Sequence, residues 1–99
     1  MAEELLNVIM NDGSRWFGEL PQNVLWYDLR DHIEKLDDAA VTDFITDNVI
    51  QAWIDFACRG YRFSVNDQFG DYWFFVDNPK CPDDILKVVL SHCKLLLET

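Results

Sequence analysis

The chain has 99 residues, of which 49% are hydrophobic and 26% are charged. These values are ordinary for a globular protein, so they argue against disorder and predict one domain over residues 1–99 with a single modest core. Eighteen acidic residues against eight basic ones give a net charge of −10, which disfavours direct binding to nucleic acid or to an anionic membrane, because Lys and Arg carry the affinity for phosphates. The same charge would steer a positively charged partner protein toward the chain, although acidic surfaces also keep small proteins soluble.

The cysteines Cys58, Cys81 and Cys93 form an odd number with no paired spacing. The N-terminal residues lack the basic segment of a signal peptide, and no apolar run approaches the roughly 20 residues of a membrane span. We therefore expect a cytoplasmic protein with reduced thiols and no membrane segment.

Two runs near the N-terminus, 5–10 and 15–20, flank a turn sequence that contains Asp-Gly. This dipeptide between runs that contain apolar residues predicts a β-hairpin. A short opening helix is the alternative, because Glu3 and Glu4 would suit the first turn of a helix.

The segment 22–36 is predicted to be an amphipathic helix, since apolar residues recur in it at spacings of three, four and three. Residues 28–47 form the densest acidic segment, with seven acids and two bases. This acidic segment is a candidate contact for a basic partner, because complementary charge speeds and orients association. The candidate residues in it are Asp28, Asp31, Asp37 and Asp38.

The stretch from Trp53 to Val76 holds nine of the fourteen aromatic residues. Side chains alternate in polarity over 50–58 and again over 61–65, and 72–76 is a run of large apolar residues. The dipeptide Arg-Gly and a cluster of polar turn residues separate the three runs. This pattern predicts a three-stranded antiparallel meander.

A single long helix over 38–58 is the rival interpretation, since apolar residues in that range also fit a helical stripe. The glycine turn and the matching strand that follows it favour a hairpin. We therefore predict a strand over 50–58 and helix-like or irregular structure over 39–46.

The last helix is predicted to open at 81–84, where proline precedes two aspartates that suit the positive end of the helix dipole. Its apolar arc over 85–97 includes Val88 and Leu95 and is wider than one sheet face normally covers. Either this helix is nearly engulfed, or part of it is exposed for a partner.

No motif for catalysis, a cofactor or a metal stands out in the sequence. His92 and Cys93 are adjacent on the predicted helix, so their side chains diverge by about 100° and fit a zinc site poorly. Cys81 is the best candidate for a reactive thiol, because a helix N-terminus lowers a thiol pKa. Asp83 and Asp84 oppose that effect, and a thiol with no chemical role is the favoured interpretation.

These patterns predict an α+β domain with an N-terminal hairpin, an amphipathic helix, a three-stranded antiparallel meander and a C-terminal helix packed on the sheet. We expect a non-enzymatic protein–protein interaction module without cofactor or metal, with homodimerisation through the last helix as one route. The alternative is an acidic inhibitor, of the immunity or nucleic-acid-mimicking type, that blocks a basic partner. Exposed Trp, Tyr and Arg are typical of protein interfaces. The candidate partner-binding residues are Asp28, Asp31, Asp37, Asp38, Trp53, Arg59, Tyr61, Trp73, Val88 and Leu95.

Overall fold

The computed structural model describes residues 5–46, 52–67 and 70–97, and within them it has six strands and two helices. In chain order these are β1 (Val8–Ile9), β2 (Arg15–Pro21), α1 (Trp26–Ile33), β3 (Ala39–Thr46), β4 (Ala52–Cys58), β5 (Tyr61–Asn66), β6 (Asp71–Val76) and α2 (Asp83–Leu97). The strands form one antiparallel sheet in the order β1-β2-β6-β5-β4-β3. The α+β class is therefore confirmed.

The N-terminal hairpin is confirmed in part. Gly13 turns the chain with a φ of 90°, and Asp12 Oδ1 accepts a hydrogen bond of 2.9 Å from the backbone N–H of Ser14. The first strand is only two residues long, shorter than predicted. The second strand pairs along its length with β6, so the hairpin belongs to the same sheet as the meander.

The meander is present as β4, β5 and β6, which are consecutive and antiparallel. The turn between β4 and β5 uses two left-handed residues, Arg59 with a φ of 53° and Gly60 with a φ of 86°. Residues 50 and 51 of the first predicted strand, and residues 68 and 69 of the second turn, lie outside the described residues.

The meander continues into a fourth strand, because β3 pairs with β4 along 39–46. The prediction of helix-like or irregular structure there was wrong, as was the long helix for the described parts of 38–58. The register shifts between Val41 and Asp43, and such a bulge interrupts the alternation that marks a strand. The β-branched residues Val41, Thr42 and Thr46 nevertheless suit extended backbone.

Helix α1 is shorter than the predicted 22–36. Leu25 precedes it in extended conformation, with φ −68° and ψ 151°, and its side chain makes no capping hydrogen bond. The helix buries Leu29 and Ile33. A left-handed residue, Asp38 with a φ of 64°, follows the helix and turns the chain into β3.

Both helices pack on one face of the sheet and cover the core. At Gly18, where β2 has a register shift, an added Cβ would lie 2.8 Å from Leu90 Cδ1, so this glycine lets β2 and α2 approach closely. The largest fully buried side chains are Tyr72, Phe17, Phe56, Phe63, Phe74, Leu29, Ile33, Ile54, Leu86, Leu97, Val65 and Val76. Within the described ranges, neither helix is long and apolar enough to cross a membrane.

Candidate functional site

The sheet face opposite the helices, which we call the open face, carries the strand residues that alternate with the buried core residues along each strand. Cross-strand partners share a face, so the strand register assigns each side chain. The strand residues on the open face include Trp16, Glu19, Asp43, Trp53, Asp55, Ala57, Arg62, Ser64, Asn66, Asp71, Trp73 and Phe75.

A groove of about 450 Å³ lies in this face. Small or short polar side chains on the central strand, Ser64 and Asn66, lie between the larger rings of Trp53, Trp73 and Phe75. The groove therefore exists because bulky and short residues alternate from strand to strand. Its remaining lining residues are Met10, Asp12, Ser14, Asp55, Arg62 and Asp77.

The aromatic rings beside the groove are held in place by contacts within the sheet. Trp16 and Trp73 stack with ring centroids 3.9 Å apart and an angle of 14° between planes. The indole N–H of Trp16 donates to the backbone carbonyl of Gly18 at 3.0 Å. Rings fixed before binding lose little conformational entropy when a partner docks.

Asp55 is a charged group in the groove whose carboxylate is fixed by two hydrogen bonds. Its Oδ1 accepts a hydrogen bond from Trp53 Nε1 at 2.8 Å and another from Ser64 Oγ at 2.8 Å. Asp43 lies directly opposite Asp55 on the neighbouring strand, so two carboxylates occupy one cross-strand position. Like charges placed opposite each other destabilise a sheet, so this arrangement is not explained by stability.

The open face is strongly acidic in the described part of the chain. The strand register, together with the lining of the groove, brings six acids to this face against one base, Arg62. Those acids are Asp12, Glu19, Asp43, Asp55, Asp71 and Asp77. The Ser14 hydroxyl and then the Ser14 backbone N–H lower the pKa of Asp12 by hydrogen bonding, so this carboxylate stays charged at neutral pH.

Two of the sequence-predicted residues, Trp53 and Trp73, come together in the groove. Trp53 is 37% exposed, which makes its ring accessible to a partner. Arg59 lies at the turn between β4 and β5. Tyr61 is on the other face of the sheet and packs against the core.

The four predicted acidic residues lie elsewhere. Asp28 and Asp31 are exposed on α1, on the covered side of the sheet, and Asp31 Oδ1 is 3.1 Å from Arg30 Nη2. Asp37 and Asp38 are exposed in the turn that leads into β3. The acidic segment is therefore divided among a helix, a turn and a strand, and among its acids within 28–46 only Asp43 reaches the open face.

The apolar arc of α2 is largely engulfed. Leu86, Val89, Leu90, Cys93 and Leu97 are buried, Val88 is half-buried, and Leu95 is 67% exposed. Little of the width of this arc is therefore left for a partner.

The thiols are poorly suited to chemistry. Burial raises the pKa of Cys81 to about 11, and that of Cys93 to about 12. Almost no thiolate is then present at neutral pH, which argues against Cys81 as a nucleophile. Within residues 5–46, 52–67 and 70–97, no three His, Cys, Asp or Glu side chains are grouped so that they could hold a metal ion.

The sequence interpretation missed Asp55, Ser64 and Phe75 as site residues. A signal for Asp55 was present, since it stands two residues after Trp53 in a predicted strand and so shares its face. No protein-family model, curated protein or solved structure matches this chain.

Proposed function

We propose that this protein is a non-enzymatic protein–protein interaction module that binds a partner with a basic surface through the open face. The single observation that carries the proposal is the groove, in which indole rings and carboxylates lie side by side. Trp is enriched at the centres of protein interfaces, because its large rigid ring contributes contact area at small entropic cost.

The charge of the open face supports a basic partner. The described residues bring six acids and one base to this face, on a chain with a net charge of −10. This charge creates a field that attracts cationic surfaces and raises their association rate. An acidic inhibitor that blocks a basic enzyme is the more specific form of the same proposal. Homodimerisation through α2 would rest mainly on the exposed Leu95 and is the second route to test.

The test is a pull-down from host lysate with the native chain and two matched variants. The open-face variant combines Trp53→Ala with Asp77→Asn. The control variant combines Leu95→Ala with Asp31→Asn, which removes the same charge and one exposed apolar side chain from the helices. The pull-down with each of the three proteins is carried out at low and at high salt, and the retained proteins are identified by mass spectrometry.

We expect the open-face variant to lose a basic protein that the native chain and the control variant both retain. Retention should weaken at high salt, because the charged contribution is screened. If only the control variant loses the protein, the binding surface is the helical side and the open-face proposal is wrong. Sedimentation of the purified chain measures its oligomeric state independently.

A further inference from the structure

We propose that the groove of the open face binds an arginine side chain of the partner, with its guanidinium group paired to the carboxylate of Asp55 beside the ring of Trp53. This inference rests on the proposed function, because it names the chemical group that the open face recognises. Three features of the described residues carry it.

The first feature is the free acceptor on Asp55. Its Oδ1 accepts from Trp53 Nε1 and from Ser64 Oγ, both at 2.8 Å, so the carboxylate is held in one orientation. Its Oδ2 accepts no hydrogen bond from any residue in 5–46, 52–67 or 70–97. The second oxygen of this oriented carboxylate can accept a hydrogen bond from a charged donor. Hydrogen bonds between charged groups are about twice as strong as those between neutral groups.

The second feature is the pairing of Asp43 with Asp55 across two strands. Asp43 Oδ1 accepts a hydrogen bond of 3.0 Å from the backbone N–H of Phe44, which keeps this carboxylate near the edge of the sheet. No ion pair within 4.0 Å joins either carboxylate to a described Lys or Arg side chain. A cation bound near this position would reduce the electrostatic repulsion between the two carboxylates. This reduction would add to the free energy of binding.

The third feature is the ring of Trp53, which is joined to Asp55 by a hydrogen bond and is 37% exposed. A guanidinium group is planar, so it can stack on an indole while its N–H groups point at a neighbouring carboxylate. A lysine ammonium group lacks this planar fork and retains water more strongly. Arginine is therefore the side chain that this combination of ring and acid selects.

The test uses the full chain and a short extended peptide that alternates arginine with threonine. Matched peptides carry lysine, or citrulline, which keeps the shape of arginine without its charge. Binding is followed by NMR through the indole N–H signal of Trp53, which is sensitive to weak association. The variants are Asp55→Asn, which keeps an oxygen acceptor for Trp53 and Ser64, and Asp37→Asn as a control with the same change in charge.

We expect the arginine peptide to shift the Trp53 signal and to bind more tightly than the lysine or citrulline peptide. Asp55→Asn should weaken its binding about tenfold, and Asp37→Asn by less than about twofold. Equal losses in the two variants would show unspecific attraction to an acidic protein and would overturn the inference. Equal binding of the citrulline or lysine peptide, or no shift with the arginine peptide, would overturn it too.

The two proposals can fail separately. If the lysate partner is retained through the open face but Asp55→Asn retains it equally well, the arginine inference is wrong and the interaction module stands. If the open-face variant retains the partner as well as the native chain does, the proposed function is wrong, and any peptide binding at Asp55 would be unrelated to it.

Discussion

Replacing His32 with alanine should lower the free energy of unfolding by about 2 kcal/mol. His32 on α1 and His92 on α2 form a reciprocal contact, in which each Nε2 lies 2.6 Å from the backbone carbonyl oxygen of the other residue. The rings stack with centroids 4.0 Å apart and planes at 14°. Because a carbonyl only accepts, each ring must carry its proton on Nε2.

The expected magnitude follows from these contacts. Each hydrogen bond contributes about 1 kcal/mol to stability, and the ring stack contributes about 1 kcal/mol more. Either single alanine variant loses one hydrogen bond and the stack, which gives about 2 kcal/mol. The double variant loses both bonds but the stack only once, which gives about 3 kcal/mol, so the coupling free energy between the two positions should be about 1 kcal/mol.

Urea unfolding, followed by tryptophan fluorescence, measures these quantities in the two single variants and the double variant. The control is Lys35→Ala, at an exposed position just after α1, which should change stability by less than about 0.5 kcal/mol. The slope of the unfolding free energy against urea concentration should be the same in all variants, because the surface exposed on unfolding hardly changes. Additive effects of the two histidine substitutions, with no coupling, would refute this account of the contact.

Arg15 is buried, and its Nη1 lies 3.2 Å from Asp83 Oδ1. Replacing it with leucine should lower the free energy of unfolding by about 1–3 kcal/mol in the same urea assay. An unchanged urea midpoint would contradict this prediction. Gly18→Ala should destabilise by about 1–3 kcal/mol because its Cβ meets Leu90, and pairing it with Leu90→Val should recover part of the loss. The thiol of Cys81 has a pKa of about 11 in the folded protein, against an ordinary value of 9.0. Between about pH 9 and 11 the thiol therefore loses its proton in the unfolded chain but keeps it in the folded one. The free energy of unfolding should fall as the pH rises through this range. Cys81→Ala should reduce this slope, and an equal slope in both chains would contradict the assignment.

The candidate site was only partly within reach of sequence interpretation. Alternation in 50–58 placed Trp53 and Asp55 on one face, and that relation is correct. The residues chosen from the acidic segment lie away from the groove, because a run of charge along the chain does not indicate how a helix and a turn divide it. Tyr61 was chosen for its type, yet it packs against the core because its position in β5 points it toward the helices.

The amino-acid sequence by itself determined the α+β class, the acidic character, the glycine turns and the strands of the meander, because propensity, charge and alternation act over neighbouring residues. Only the tertiary structure decided that β2 pairs with β6 and that β3 extends the meander. A period of two assigns residues to two faces, but it does not say which face the helices cover. That choice depends on how α1 and α2 bury their apolar sides together. It leaves Trp53, Asp55 and Trp73 on the side that faces solvent.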